Sequence, residues 1–108
     1  VISSYTYDDG ETKVAMHELF EKYNYVACPH TAIAYLAAKA YKTENPGEYA
    51  SIFLSTAHPC KFPEGIDADI FEKVTYPEGA EALADKPKLA EPLAVSYEDF
   101  KAYLLKNK

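Results

Sequence analysis

At 108 residues the chain is long enough for one hydrophobic core and too short for two. It carries 11 basic against 17 acidic residues, a formal charge of -6, which repels phosphate backbones and anionic lipid and so speaks against nucleic-acid and membrane partners. All 11 basic residues are lysines. No arginine supplies a planar fork for bidentate capture of phosphate, so a phosphate clamp is expected elsewhere.

The most apolar run, Thr31 to Ala40, is too short and too interrupted to span a bilayer, and no signal peptide opens the chain. A soluble, cytoplasmic setting is expected. Cys28 and Cys60 read as reduced thiols in that setting. The chain begins at Val1 and its one methionine is Met16, which reads as a piece of a longer protein.

In chain order, Met16, Leu19, Phe20 and Tyr23 fall on one face while Glu11, Lys13, Glu18, Glu21 and Lys22 point elsewhere, predicting an amphipathic helix over about 10–24. Asp8 and Glu11 have capping-box spacing. Pro29 suits the first position of a second helix, which runs to about residue 44 and stops ahead of Asn45-Pro46-Gly47. Five alanines and Ile33, Tyr35, Leu36 and Tyr41 leave this helix little polar circumference. Such a helix needs a sheet, other helices, the rest of a larger protein or a second copy to cover it.

Ile52-Phe53-Leu54 does not alternate with polar residues, so residues 50–56 are expected to form a buried strand of parallel type, in an α/β fold that is otherwise mostly helical. The strand should finish before Pro59, with Thr56 and His58 at its carboxyl end, where open α/β sheets bind ligands. Ile66, Ile70 and Val74 step by four and predict a third helix along 63–74. Tyr76-Pro77-Glu78-Gly79 breaks it, a single turn at Glu81 to Ala84 follows, and Ser96 offers an N-cap to a last helix with Phe100, Tyr103 and Leu104 on its apolar side. No internal domain boundary is evident.

Thr56-Ala57-His58-Pro59 followed by Lys61-Phe62 matches the pattern T-A-H-P-A-K-F, with Cys60 in place of the second alanine. Pro29-His30-Thr31-Ala32 lies upstream, and Asp8-Asp9-Gly10-Glu11-Thr12 forms an acidic lead-in to a helix. In these blocks the chain resembles the carboxyl-terminal segment of the threonine synthase family, pyridoxal-phosphate enzymes of the tryptophan-synthase-β-like fold. The resemblance runs from about residue 7 to the end and is densest between 25 and 64.

It implies that residues 1–108 are one part of a larger cofactor-binding domain, in an enzyme converting O-phosphohomoserine and water to threonine and phosphate. It also implies that the segment is inactive alone. The Schiff-base lysine, the phosphate loop and the substrate clamp would lie upstream, on the remainder of the enzyme. Two other readings remain open: a non-catalytic interaction domain, and another pyridoxal-phosphate lyase of the same fold.

The resemblance assigns Thr56 to the pyridine nitrogen of the cofactor. A neutral hydroxyl there donates to an unprotonated nitrogen, whereas an aspartate would hold a pyridinium. The competing reading is a hydroxyl that satisfies local backbone at a strand end. His58 is a second cofactor-binding candidate, against a role in fixing the turn at Pro59. Lys61 is expected to leave the strand and pair with a carboxylate.

His30 and Thr31 could present N–H groups to an anion or simply start a helix. Cys28 replaces an acidic residue usual in the family and is a poor N-cap. The mirrored triplets Cys28-Pro29-His30 and His58-Pro59-Cys60 space their ligands too closely for a zinc site, and no metal is expected.

Overall fold

The computed structural model describes residues 2–48 and 50–106, which divide into two compact units, Val1–Tyr76 and Pro77–Lys108. The first unit is built on two helices, α1 (Asp9–Tyr23) and α2 (Pro29–Glu44). Asp8 starts α1 through a full capping box. Its carboxylate accepts from the Glu11 N–H at 2.8 Å, and the Glu11 carboxylate accepts from the Asp8 N–H at 2.9 Å. A cap of this kind stabilises a helix by about 1 kcal/mol.

Asn24 ends α1 in the left-handed region, at φ 51°, and donates its N–H to the carbonyls of Leu19 and Phe20. Asparagine tolerates that conformation because its short side chain crowds the backbone little and can bond locally. α2 begins at Pro29 with no side-chain cap from Cys28, and stops where the Asn45 N–H reaches the Tyr41 carbonyl at 2.9 Å.

The core is small and mostly helical. Ala15 and Met16 of α1, Ala32 of α2, and Ile66 and Ile70 form one buried cluster, and Leu19 of α1 is buried as well. Ala15 and Ala32 are both fully buried, and their lack of bulk is what lets the two helices approach. Phe20, Val26, Tyr35, Leu36, Phe62 and Phe71 pack around that centre. The alanine-rich circumference of α2 is thus half covered within this unit: residues 33–38 are all intermediate in exposure.

Residues 50–56 correct the expected α/β architecture. No strand occurs among the described residues, and this segment runs extended without a ladder. Ile52 is 89% and Leu54 74% exposed, and Phe53 alone turns inward, edge-on to Tyr35 at 5.9 Å. The reason is that an apolar run reports a need for cover, while a strand also requires a neighbouring backbone to pair with. None of the described residues provides one.

The helix expected over 63–74 is also broken. Two 3₁₀ turns, Pro59–Lys61 and Pro63–Gly65, precede a single α-helical turn, α3 (Ala68–Phe71). Each 3₁₀ turn opens on a proline that fixes φ, and Gly65 passes close to Pro29, where an added Cβ would lie 3.2 Å from the ring. Ile66 and Ile70 reach the same core without one continuous helix.

The second unit holds α4 (Glu78–Ala84), longer than the single turn expected, and α5 (Tyr97–Lys106). The Ser96 hydroxyl accepts from the Asp99 N–H at 3.3 Å, as its position predicts. α5 buries none of its residues, and Leu89, Val95 and Leu105 are exposed.

α1 and α2 are also tied electrostatically. The Glu18 carboxylate accepts from Lys22 at 2.7 Å on its own helix, and from Tyr35 at 2.9 Å and Lys39 at 2.7 and 2.8 Å on α2. These donors, Lys22 first, hold its pKa down to about 2. A depressed carboxylate contributes stability that is complete above its unfolded-state value near 4.5 and is lost as pH falls towards 2. Thermal melts followed by circular dichroism should therefore be flat in this contribution above pH about 4.5 and fall below it. Glu18→Gln should cost roughly 1 kcal/mol at neutral pH and flatten that acid limb.

Candidate functional site

The motif Thr56 to Phe62 folds as one tight local structure. Ala57 bends the chain, and His58 caps the following 3₁₀ turn, its Nδ1 accepting from the Cys60 N–H at 3.3 Å. Pro59 supplies the fixed φ at the first position of that turn, and the Phe62 N–H returns to the Pro59 carbonyl at 2.9 Å. With Nδ1 engaged as an acceptor, a neutral His58 carries its proton on Nε2.

This structure forms one wall of a cleft of about 610 Å³. Asn24, Tyr25 and Val26, leaving α1, form a second wall, and Lys73, Val74 and Thr75, leaving α3, form the third. Thr56 and His58 therefore face one cavity, together with Ser55 and Lys61. Among the described residues no carboxylate lines it. Neither Lys61 nor Lys73 makes an ion pair among the described residues, so the carboxylate partner expected for Lys61 is not found there. The side-chain groups available are hydroxyls, an amide and an imidazole, which can donate or accept, and two lysine amines.

The Thr56 hydroxyl is exposed and makes no hydrogen bond among the described residues. The local backbone bond of the competing reading is not found among the described residues. His58, by contrast, fulfils the turn-fixing role and keeps only Nε2 for any ligand.

His30 and Thr31 do not reach the cleft. The His30 ring packs on Phe62 at 5.1 Å, and Thr31 is fully buried. The packing reading of that helix start is the one the geometry favours over anion capture. Cys28 and Cys60 are both free thiols, the first buried and the second half-buried. No cluster of three or more metal-ligating side chains occurs among the described residues.

Sequence reasoning missed Tyr25, Ser55, Lys73 and Thr75. Asn24 carried a signal, as a helix-ending asparagine immediately after an amphipathic pattern, and Ser55 stood beside the motif. Lys73 carried none, since it falls inside the helix expected over 63–74, and Thr75 carried none just beyond it.

Behind the cleft wall runs a chain of polar contacts. The Tyr25 hydroxyl donates to the Ser55 hydroxyl at 3.2 Å, Thr31 Oγ1 donates to the same oxygen at 3.5 Å, and Cys28 Sγ lies 3.2 Å from Thr31 Oγ1. The left-handed turn at Asn24 is what aims Tyr25 at Ser55. Asn24→Ala should cost about 1–2 kcal/mol, and Asn24→Gly far less, because only the first places a Cβ in a left-handed backbone. Thermal melts of the two variants check the order.

The family pattern described as "Threonine synthase, C-terminal" matches residues 31–104. Among curated proteins, the chain is 40% identical over 90 residues to threonine synthase of Escherichia coli, covering 83% of this chain and 20% of that protein. It is 36% identical over 97 residues to threonine synthase of Serratia marcescens, covering 90% and 22%. The Haemophilus influenzae threonine synthase is 31% identical over 99 residues, covering 92% and 22%. The chain thus spans about a fifth of the length of these curated relatives. No solved structure matches it. No described helix is long and apolar enough to cross a membrane.

Proposed function

This chain belongs to the family of threonine synthase carboxyl-terminal segments, and on that premise we propose that it forms one wall of the pyridoxal-phosphate site of a threonine-forming lyase. The reaction is the conversion of O-phosphohomoserine and water to threonine and phosphate. The observation that carries the assignment is the Thr56 hydroxyl, exposed in a cleft and free of any hydrogen bond among the described residues.

The residues present fit part of the cofactor. A free hydroxyl with a donor proton matches a ring nitrogen that is not protonated. No glycine lines the cleft among the described residues, so they supply no glycine-rich cradle for the cofactor's phosphate. That cradle, the Schiff-base lysine and the substrate clamp belong to the remainder of the enzyme. When bound, pyridoxal phosphate supplies an electron sink while phosphate leaves the γ carbon of the substrate and water adds at the β carbon.

Thr56 contributes by holding a proton at the ring-nitrogen position without transferring it, which keeps that nitrogen neutral. His58 fixes the turn that sets Thr56, and its Nε2 proton is a second donor on the same wall.

The interaction-domain reading has less support, because the alanine-rich face of α2 is half covered by its own unit. The partner that the enzyme reading requires is the rest of the protein, and Ile52 and Leu54 are the apolar side chains left for it to cover. By itself the chain should self-associate through such surfaces. Sedimentation over a concentration series should show mass rising with concentration, and a strictly monomeric species would argue against a missing cover.

In the enzyme carrying this segment, Thr56→Val should leave the melting temperature nearly unchanged while reducing cofactor affinity or turnover roughly 5- to 150-fold, the equivalent of about 1–3 kcal/mol for one lost buried hydrogen bond. Thr56→Ser should be far milder. Equal behaviour of the two variants would make Thr56 a structural residue.

A further inference from the structure

Ser55 sits one residue before Thr56 and lines the same cleft, yet the family motif gives it no role. Its hydroxyl has one proton to donate and two lone pairs to accept with. Tyr25 OH donates to Ser55 Oγ at 3.2 Å.

Thr31 is fully buried, and the acceptors within reach of its Oγ1 among the described residues are Ser55 Oγ and Cys28 Sγ. Sulfur is a weak acceptor and the buried thiol can donate, so the directions that satisfy every group run from Cys28 to Thr31, and from Thr31 to Ser55. Both accepting positions of Ser55 are then filled from the protein side. Its own proton has no partner among the described residues, and the residue is exposed and lines the cleft.

We propose that Ser55 is an obligate hydrogen-bond donor to a ligand oxyanion in this cleft, with its proton turned outward by the Tyr25–Ser55–Thr31–Cys28 chain. The chemical class follows from the wall around it. Among the described residues Lys61 and Lys73 are unpaired and no carboxylate lines the cleft, although the chain as a whole carries 17 acidic residues. A phosphate or carboxylate oxygen is the acceptor such a surface recognises.

The assignment deepens the proposed function, because it places a second hydroxyl donor beside Thr56 in the same cleft. Thr31 acts as a positioning residue through Ser55. The carboxyl-terminal wall then presents two adjacent hydroxyls with different duties. Thr56 is free to rotate towards its acceptor, whereas Ser55 is preset by the protein.

The test uses the enzyme carrying this segment, with inorganic phosphate and with acetate as separate probes at constant ionic strength, followed by chemical-shift changes at selectively labelled residues 55–61. Phosphate or acetate should perturb these residues saturably, and which of them does identifies the oxyanion. Ser55→Ala should weaken that binding roughly tenfold, as expected for a lost bond to a charged acceptor, and Ser55→Thr should restore most of it. Thr31→Val should weaken it severalfold, with rescue by Thr31→Ser. Binding that is unchanged in Ser55→Ala, or absent for both probes, overturns the proposal. The outcome is independent of the cofactor reading, which stands or falls on Thr56→Val in the complete enzyme.

Discussion

The cleft wall depends on one constraint: an extended segment without a ladder has to be held by side chains. Residues 50–56 have no strand neighbour among the described residues, and the contacts that fix their carboxyl end are the hydroxyls of Tyr25 and Thr31 on Ser55. Thr31 is buried on the first turn of α2, and Tyr25 follows the left-handed turn that ends α1. The position of Thr56 is therefore inherited from the two helices and from the way they are joined. Neutral hydroxyl bonds of this kind contribute about 1 kcal/mol each, so the arrangement is held by several modest contacts.

That inheritance explains why the small core matters to function. Ala15 and Ala32 let α1 and α2 come together, Glu18 ties them across their exposed side, and Asp67 draws the start of α3 to α1 through Lys13 at 2.6 Å and His17 at 3.1 Å. The Asp67 carboxyl is held below the usual range, first by Lys13 and then by His17. α3 in turn delivers Lys73 and Thr75 to the third wall. These exposed pairs contribute little energy singly. Their effect is to set where the walls stand relative to one another within the first unit.

The helices were legible in the sequence because their signals are local. Asp8 with Glu11, Pro29, Asn45-Pro46-Gly47 and Ser96 each mark a boundary by what a helix terminus needs, and the observed ends fall within a residue or two of those marks. The strand was not legible, because pairing is a property of two segments and Ile52-Phe53-Leu54 describes one. The helix expected along 63–74 failed for a related reason. Ile66 and Ile70 keep helical spacing, while the backbone is extended at Ile66 and Asp67 and the Pro63–Gly65 turn ends before them.

At the site, the motif Thr56 to Phe62 was readable from its family pattern, and the structure brings its Thr56, His58 and Lys61 to one cavity. The chain of contacts behind it was not readable. Tyr25, Ser55 and Thr31 are up to 30 residues apart, and nothing in their spacing announces that a buried hydroxyl joins them. The central claim is that the cleft presents a neutral hydroxyl to an unprotonated ring nitrogen. It is tested most directly by the nitrogen-15 chemical shift of ring-labelled pyridoxal phosphate bound to the enzyme carrying this segment. A shift in the range of a hydrogen-bonded neutral pyridine, moving towards free pyridine in Thr56→Val, is the predicted result, and a pyridinium shift that ignores Thr56 would contradict it.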